Sequence, residues 1–192
     1  MNEVIIEIAQ EIEKAGGRLY IVGGAIRDEL MGLPVNDIDL VVAELSAEST
    51  LKVLSKFGKV SQPDGENSFP VMKLTSLGLD IALARRETRT GYGFKDVRFD
   101  TNSVSIIDDL KRRDLTCNAI AQDVLTGRIF DPCGGQMDIE EGILRAVDER
   151  FPESSERGLR LAGLVCRTGY GVDVFTIEQA RQCAQHYDAI PL

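Results

Sequence analysis

The apolar positions at the start of the chain switch between two periods. Val4, Ile5, Ile8 and Ile12 recur at helical spacing and Gly16-Gly17 closes the run, so residues 2–15 read as an amphipathic helix. Leu19-Tyr20-Ile21-Val22 is a short unbroken apolar run, as a buried strand requires, and it leads directly into Gly23-Gly24. Residues 25–31 have helix-forming composition and stop at Gly32 with Pro34 beyond. A second strand is expected over Asp37-Ile38-Asp39-Leu40-Val41-Val42, followed by a helix from about Ser49 to Phe57. Period two returns between Val60 and Ala84, around Phe69, Val71 and Lys73 and then Leu77, Leu79 and Ile81, which predicts further strands of a mixed sheet.

Residues 85–103 show no clean period. They carry Arg85, Arg86, Arg89, Lys95 and Arg98 among threonines and glycines, and predict a mobile basic loop. Residues 106–115 look helical, and Asn118–Val124 and Arg128–Phe130 flank Thr126-Gly127 as a hairpin. Beyond Gln136 the pattern is helical, near 137–142, 153–167 and 176–187. The chain is therefore expected to be α+β: a mixed sheet over residues 1–139, then helices over 140–192, with no Gly/Ser linker between them.

Charge narrows the possible partners. Against 31 Asp and Glu stand 22 Lys and Arg, a net charge of −9, so neither a general nucleic-acid coat nor a polybasic membrane anchor covers the surface. A polyanion must be met locally. No apolar stretch approaches the roughly 20 residues that cross a bilayer. The acidic, amphipathic N-terminus lacks the features of a signal peptide, which makes the cytoplasm the expected location. The four cysteines form no CxxC pair, so reduced thiols are expected, with Cys117 and Cys166 among apolar neighbours as core residues. His186 is the single histidine, which leaves a multi-histidine metal site unsupported.

Two local patterns carry chemistry. Gly23 and Gly24 after a buried strand, opening a helix that holds Arg27, place backbone N–H groups and a cation where a phosphate chain could bind; a plain turn is the alternative. Asp37 and Asp39, one residue apart on a strand, point to one face while Ile38 points into the core. Two acids beside Leu40, Val41 and Val42 are costly without a cation. Asp80, between Leu79 and Ile81 in a second alternating strand, adds a third carboxylate if the two strands are neighbours. Oxygen-only ligation of this kind suits Mg²⁺, and two such ions about 4 Å apart clamp an in-line displacement at phosphorus. Plain surface acids on an acidic protein are the alternative reading at this point.

G-G-A-I-R-D at 23–28 with D-I-D at 37–39 resembles the opening motif of the class II, bacterial-type tRNA nucleotidyltransferases and poly(A) polymerases. The resemblance continues in order through Leu79-Asp80-Ile81 with Arg85 and Glu87, R-R-D-L-T-C-N-A at 112–119, D-P-C-G-G with Asp138, and Leu144-Arg145-Ala146-Val147. It implies a polymerase-β-like nucleotidyltransferase head with a mixed, mainly antiparallel sheet, followed by a helical neck. It also implies transfer of CMP or AMP from CTP or ATP to an RNA 3′ end, either completing CCA on tRNA or adding A residues. Asp37 and Asp39 would then hold Mg²⁺, and Asp80 would complete the catalytic triad that activates the primer hydroxyl. Gly23, Gly24 and Arg27 would face the triphosphate. Arg113, Asp114 and Asn118 would contact sugar and phosphate, with Asn118 offering a donor and an acceptor to a ribose 2′-OH. Arg86 and Arg98 would hold RNA or the incoming triphosphate, Lys111 and Arg112 would meet RNA, and Tyr92, Phe94 and Phe99 could stack on bases or anchor the loop. The Asp131–Gly135 corner would be structural.

The neck departs from the resemblance. Family members show Glu-Asp-Pro and a two-arginine pattern where this chain reads F-P-E-S-S-E-R-G-L-R at 151–160. Glu153, Arg157 and Arg160 match, but Ser154 stands where an acid works with Arg157 on the base edge, and Gly163 where a third arginine is common. Ser has neither the charge nor the two-oxygen geometry of Asp. Selection between C and A is therefore expected to be blurred unless Glu153 or Glu156 substitutes. The family's long helical body and tail domains have no counterpart before Leu192. RNA affinity is accordingly expected to be low and strongly salt-dependent, with a monomer as the default state. Binding of nucleotide or RNA without turnover, and transfer to a small molecule or protein, are the other readings.

Overall fold

The computed structural model describes residues 3–35, 37–61, 70–89, 91 and 97–187. Its elements follow in the order α1 (Glu3–Lys14), β1 (Arg18–Val22), α2 (Gly24–Leu30), β2 (Asp39–Ala43), α3 (Ala47–Leu54), β3 (Val60–Ser61), β4 (Val71–Leu74) and β5 (Leu79–Leu83). Then come β6 (Arg86–Arg89), β7 (Val97–Asp100), α4 (Ile106–Lys111), β8 (Ala121–Asp123), β9 (Ile129–Phe130), α5 (Gly135–Glu141), β10 (Ile143–Leu144), α6 (Glu156–Thr168), β11 (Gly171–Val172) and α7 (Val174–Ala184). Short 3₁₀ turns at Thr116–Asn118 and Phe151–Glu153 complete the set.

Seven strands form one sheet in the order β3-β4-β5-β2-β1-β8-β9. Only the β2–β5 pair is parallel; the other neighbours run antiparallel. The architecture is thus α+β, with a mixed, mainly antiparallel sheet followed by helices. Alternation along the strands sorts their side chains onto two faces. Leu19, Ile21, Leu40, Val42, Ile81 and Leu83 face a core closed by Ile5, Ile8 and Ile12 of α1 and by Val53 and Leu54 of α3. Tyr20, Val22, Val41 and Ala43 face the opposite way, against Ile106 and Leu110 of α4.

The C-terminal helices are bound into the first of these cores, since Phe151, Leu161, Leu164 and Cys183 are buried in the same cluster. Gly158 allows α6 and α7 to meet closely: a Cβ there would lie 2.9 Å from Cys183 Cβ and 2.7 Å from the Tyr187 hydroxyl. The short parallel pair β10–β11 and the bridge between Leu115 and Ala146 join the helical part to the turn that follows α4.

Several expectations change. Residues 85–103 are not an irregular loop where described: β6 and β7 form an antiparallel ribbon in which Arg86 pairs with Asp100 and Arg89 with Val97. The ribbon's alternation is short and mixed with charge, which hides it from a hydropathy reading. The second strand starts at Asp39, not Asp37, and Ile38 is 44% exposed instead of facing the core. Leu77 is also exposed, in the turn between β4 and β5. Asn118 belongs to a 3₁₀ turn, so the hairpin begins at Ala121. All four cysteines are free thiols; Cys117 and Cys183 are buried, but Cys166 is exposed because it falls on the outer face of α6. Phe69, Tyr92, Phe94 and Lys95 lie outside the described residues.

Candidate active site

β2 and β5 lie side by side with Leu40 opposite Ile81. Asp39 and Asp80, one residue earlier on each strand, therefore share the face that carries Val41 and Ala82, and both line a cleft of about 610 Å³. This volume lies within the range of small-molecule sites. The two carboxylates stand at its sheet end and are exposed. Asp80 forms an ion pair of 3.0 Å with Lys73, its cross-strand partner on β4, and both side chains are more than half exposed, so the pair is weak and displaceable. Asp37 precedes the strand, is exposed and is not part of the cleft lining. Among the described residues no group of three or more His, Cys, Asp or Glu side chains is drawn together, so the expected carboxylate triad is reduced here to two acids. The reason is local: the strand ladder begins at Asp39, and the same-face argument holds only within a strand.

β1 delivers the glycine corner to the same end. Gly23 has φ 65° and ψ −119°, a conformation only glycine adopts easily, and a Cβ there would lie 2.8 Å from Arg113 Nη1. Its N–H is not free for an anion, because it donates to the Ile120 carbonyl at 3.0 Å. Gly24 and Arg27 line the cleft. Arg27 Nε donates to Asp28 at 2.8 Å, and Arg27 Nη1 donates to Asn118 Oδ1. Asp28 also accepts from Arg167 of α6 at 2.9 Å, which ties the helical part to the glycine corner.

The cleft wall opposite is a lattice of arginines and acids. Asp109 of α4 is fully buried and accepts from Arg112 at 2.6 Å, from Arg113 at 3.0 Å and from the Arg85 backbone N–H at 3.1 Å. Burial pushes its carboxyl up, but the charges of Arg112 and Arg113 outweigh this and hold it below the usual range. Glu87 accepts from Arg85 at 3.0 Å and from Arg112 at 2.8 Å and is lowered in the same way, against its burial. Arg85 is itself pushed down to about 10, first by burial and then by Arg112, with Glu87 and Asp109 opposing. Its guanidinium also lies 5.2 Å from the centre of the Phe99 ring.

Asp114 and Asn118 form a second buried unit. Asp114 accepts from Asn118 Nδ2 at 3.0 Å, the Leu115 N–H at 2.8 Å and Arg160 Nη1 at 3.0 Å. Its carboxyl is lowered despite burial, chiefly by Arg160. Asn118 Oδ1 already accepts from Arg27 and Nδ2 donates to Asp114, so towards a ribose the amide offers one remaining N–H and one remaining lone pair. From the helical part, Ser154, Glu156, Arg157 and Arg160 complete the lining. Ser154 is 8% exposed, and Arg157 spends Nη1 and Nη2 on the carbonyls of Arg150 and Arg112, both at 2.9 Å.

The structure thus brings Asp39, Asp80, Gly23, Gly24, Arg27, Arg113, Asp114, Asn118, Arg157, Arg160 and Arg112 to one cleft, and leaves Asp37, Arg86, Arg98 and Lys111 off its lining. Arg86 is paired instead with Asp100 and Asp108. Arg89 and Phe99 are cleft residues whose placement only the ribbon's alternation could have revealed. Seven arginines and five carboxylates line the cleft of a chain whose net charge is −9. On a chain of that charge, a local excess of cations of this kind is what an anion would need. Paired with two exposed acids at one end, it suits a phosphate-bearing substrate whose reacting phosphorus meets hard oxygen ligands.

Comparison with known proteins is consistent with this geometry. A family model described as the poly A polymerase head domain matches residues 19–145. A "Multifunctional CCA protein" of Neisseria gonorrhoeae is 42% identical over 171 residues, covering 88% of this chain and 40% of that protein. The crystal structure of the Bacillus stearothermophilus CCA-adding enzyme in complex with CTP superposes with a TM-score of 0.73 at 30% identity, over 91% of this chain and 41% of that one. An apo form of a CCA-adding enzyme superposes with a TM-score of 0.80 at 27% identity, over 97% of this chain and 45% of that one. The chain spans about two fifths of the length of the curated relatives it matches.

Proposed function

The chain belongs to the class II tRNA nucleotidyltransferase and poly(A) polymerase family, whose head-domain model it matches, and on that premise we propose that it adds nucleotides to an RNA 3′ end without a template. The substrates are CTP and ATP and the acceptor is the CCA end of tRNA; addition of A residues alone is the narrower variant. In this reading residues 1–139 are the catalytic head and 140–192 part of a helical neck. The protein acts in the cytoplasm as a monomer. Among the described residues no helix is long and apolar enough to cross a membrane. The observation that carries the proposal is that Asp39 and Asp80 share one face of adjacent strands at the end of an arginine-lined cleft.

Mg²⁺ is the cofactor of this reading. The donor set fits a hard divalent cation: two exposed carboxylates, no nitrogen or sulfur ligand, and one lysine partner that is easily displaced. Asp39 would hold it with Asp80, joined by Asp37 if residues 37 and 38 extend the strand when substrate binds. When bound, such ions neutralise phosphate charge and make the primer hydroxyl a better nucleophile. The chain's own residues do the rest. Asp80, beside Asp39, would take part in proton removal from the primer hydroxyl. Arg27 and Arg113, fixed by Asp28 and Asp109, present rigid donors to the triphosphate, and the Asn118 amide meets the sugar.

The test is incubation with labelled CTP or ATP, Mg²⁺ and a tRNA lacking its terminal nucleotides. Extension supports the proposal, and transfer of AMP only to a non-RNA acceptor would replace it. A second reading, nucleotide or RNA binding without turnover, is favoured by the position of Asp37 outside the cleft lining; saturable binding with no extension would establish it.

Base selection gives a separate prediction. With Ser154 buried and the Nη1 and Nη2 groups of Arg157 donating to backbone carbonyls, the base edge meets no carboxylate at residue 154. Ser154→Asp is expected to sharpen the ratio of CTP to ATP incorporation by about tenfold, the effect of roughly 1.4 kcal/mol of differential binding. Competition between the two nucleotides on one primer measures it; an unchanged ratio removes residue 154 from base reading.

A further inference from the structure

The seven cleft arginines are not equivalent. Arg85 and Arg112 are held by Glu87, Arg113 by Asp109, Arg27 by Asp28, and Arg160 by Asp114, while Arg157 donates to two backbone carbonyls. Arg89 is different: among the described residues it makes no hydrogen bond and no ion pair. It is half-buried at the outer end of β6, opposite Val97, on the face of the ribbon that carries Glu87 and Phe99 into the cleft.

Its surroundings are cationic. Arg89, Arg112, Arg150 and Arg157 surround a recess between the ribbon and the Phe151–Glu153 turn, facing only Glu87 and Glu153. Glu87 accepts from both Arg85 and Arg112 through Oε1, and its charge is shared by these two and by Arg89, so one carboxylate serves three guanidinium groups. Arg89 lies near enough to Arg157 for its charge to help lower the Arg157 pKa, after burial, which is the largest cause. Four guanidinium groups against two carboxylates leave an excess of positive charge around the recess, and a bound anion would relieve it. The recess measures about 10 Å³, room for one water, so that anion belongs in the open cleft in front of it.

We propose that Arg89 is a phosphate-contacting residue of the cleft, reached either by a phosphodiester of the RNA strand or by the nucleoside triphosphate. The inference rests on the transferase reading for the source of the phosphate. It assigns the ribbon's ligand contact to Arg89 in place of Arg86 and Arg98, which lie off the lining. A guanidinium held on a strand can offer two parallel N–H donors to a phosphate, and Arg89 gives up no hydrogen-bonded partner among the described residues to do so.

Binding is the direct test, and it does not depend on turnover. A fluorescent single-stranded RNA ending in the tRNA acceptor sequence and a non-hydrolysable ATP analogue are each titrated into the full chain, with Mg²⁺, at several salt concentrations. Arg89→Ala is expected to weaken one of them by about threefold to tenfold. If that ligand is RNA, the slope of log affinity against log salt falls by about 0.7. Loss on the RNA arm assigns the contact to the strand, and loss on the analogue arm assigns it to the triphosphate. Arg89→Lys should keep the salt slope, since a point charge suffices for it. Thr88→Ala, on the other side of the ribbon, should change neither arm. Because Arg89 has no bond to break among the described residues, the alanine variant should melt with the unaltered chain. Equal binding of both ligands by Arg89→Ala and the unaltered protein overturns the inference and leaves the transferase reading standing. Failure of the unaltered protein to bind either ligand removes both.

Discussion

Replacing Asp39 with Asn should abolish nucleotide addition while making the protein slightly more stable. Asp39 and Asp80 project from adjacent parallel strands onto one face, exposed and without a shared counter-ion among the described residues except Lys73 on the far side of Asp80. Like charges across neighbouring strands destabilise a sheet by a few tenths of a kcal/mol to about 1 kcal/mol. Asn keeps the shape and removes one charge, so melting in Mg²⁺-free buffer at low ionic strength is expected to rise by roughly 1–3 °C. Addition of CMP or AMP should fall by at least about 10³-fold, the effect of losing several kcal/mol of charge stabilisation at the reacting phosphate. The two changes have opposite signs, which separates a site residue from a structural one. Retained extension in Asp39→Asn would move the chemistry elsewhere in the cleft.

The pattern that made this site readable was strand periodicity. Leu40-Val41-Val42 and Leu79-Asp80-Ile81 are apolar enough to declare strands, and once two strands are neighbours their acids fall on one face or the other with no further freedom. What could not be read was where a strand begins. Asp37-Ile38-Asp39 looks extended throughout, yet Ile38 is exposed and the ladder starts at Asp39, because pairing with Val22 on β1 ends there. The ribbon was missed for a related reason. Arg86-Glu87-Thr88-Arg89 alternates by partner and not by hydropathy: Glu87 is sequestered by Arg85 and Arg112, which composition alone reads as a polar loop. The same buried acids explain why Arg86 drew attention and Arg89 did not. Equal charges in a sequence differ only in what is left for them to bind after folding, and that is settled by residues such as Asp109, far along the chain.

Asp109→Asn should therefore be the most damaging single change to stability. The carboxylate is completely buried, joins Arg112, Arg113 and the backbone of Arg85, and so fixes α4 to the end of β5 and to the start of the ribbon. Removing its charge leaves Arg113 without its acid and Arg112 with Glu87 alone, and breaking one side of a buried pair costs about 3–5 kcal/mol. For a chain of 192 residues that corresponds to a fall in melting temperature on the order of 10 °C. The pH dependence gives the mechanism a second readout. The folded-state pKa values of Asp109, Asp114 and Glu87 are all held below the usual carboxylate range, so their contribution to stability is complete near neutral pH and is lost as pH falls through that range towards the folded values. Asp109→Asn has one of these groups fewer, so its melting temperature should decline less steeply between about pH 5 and pH 3 than that of the unaltered protein. Nucleotide affinity should drop as well, because Arg113 loses the anchor that aims it past Gly23. A variant that melts within 1 °C of the unaltered protein, with a parallel acid profile, would show that the lattice of arginines does not depend on this carboxylate.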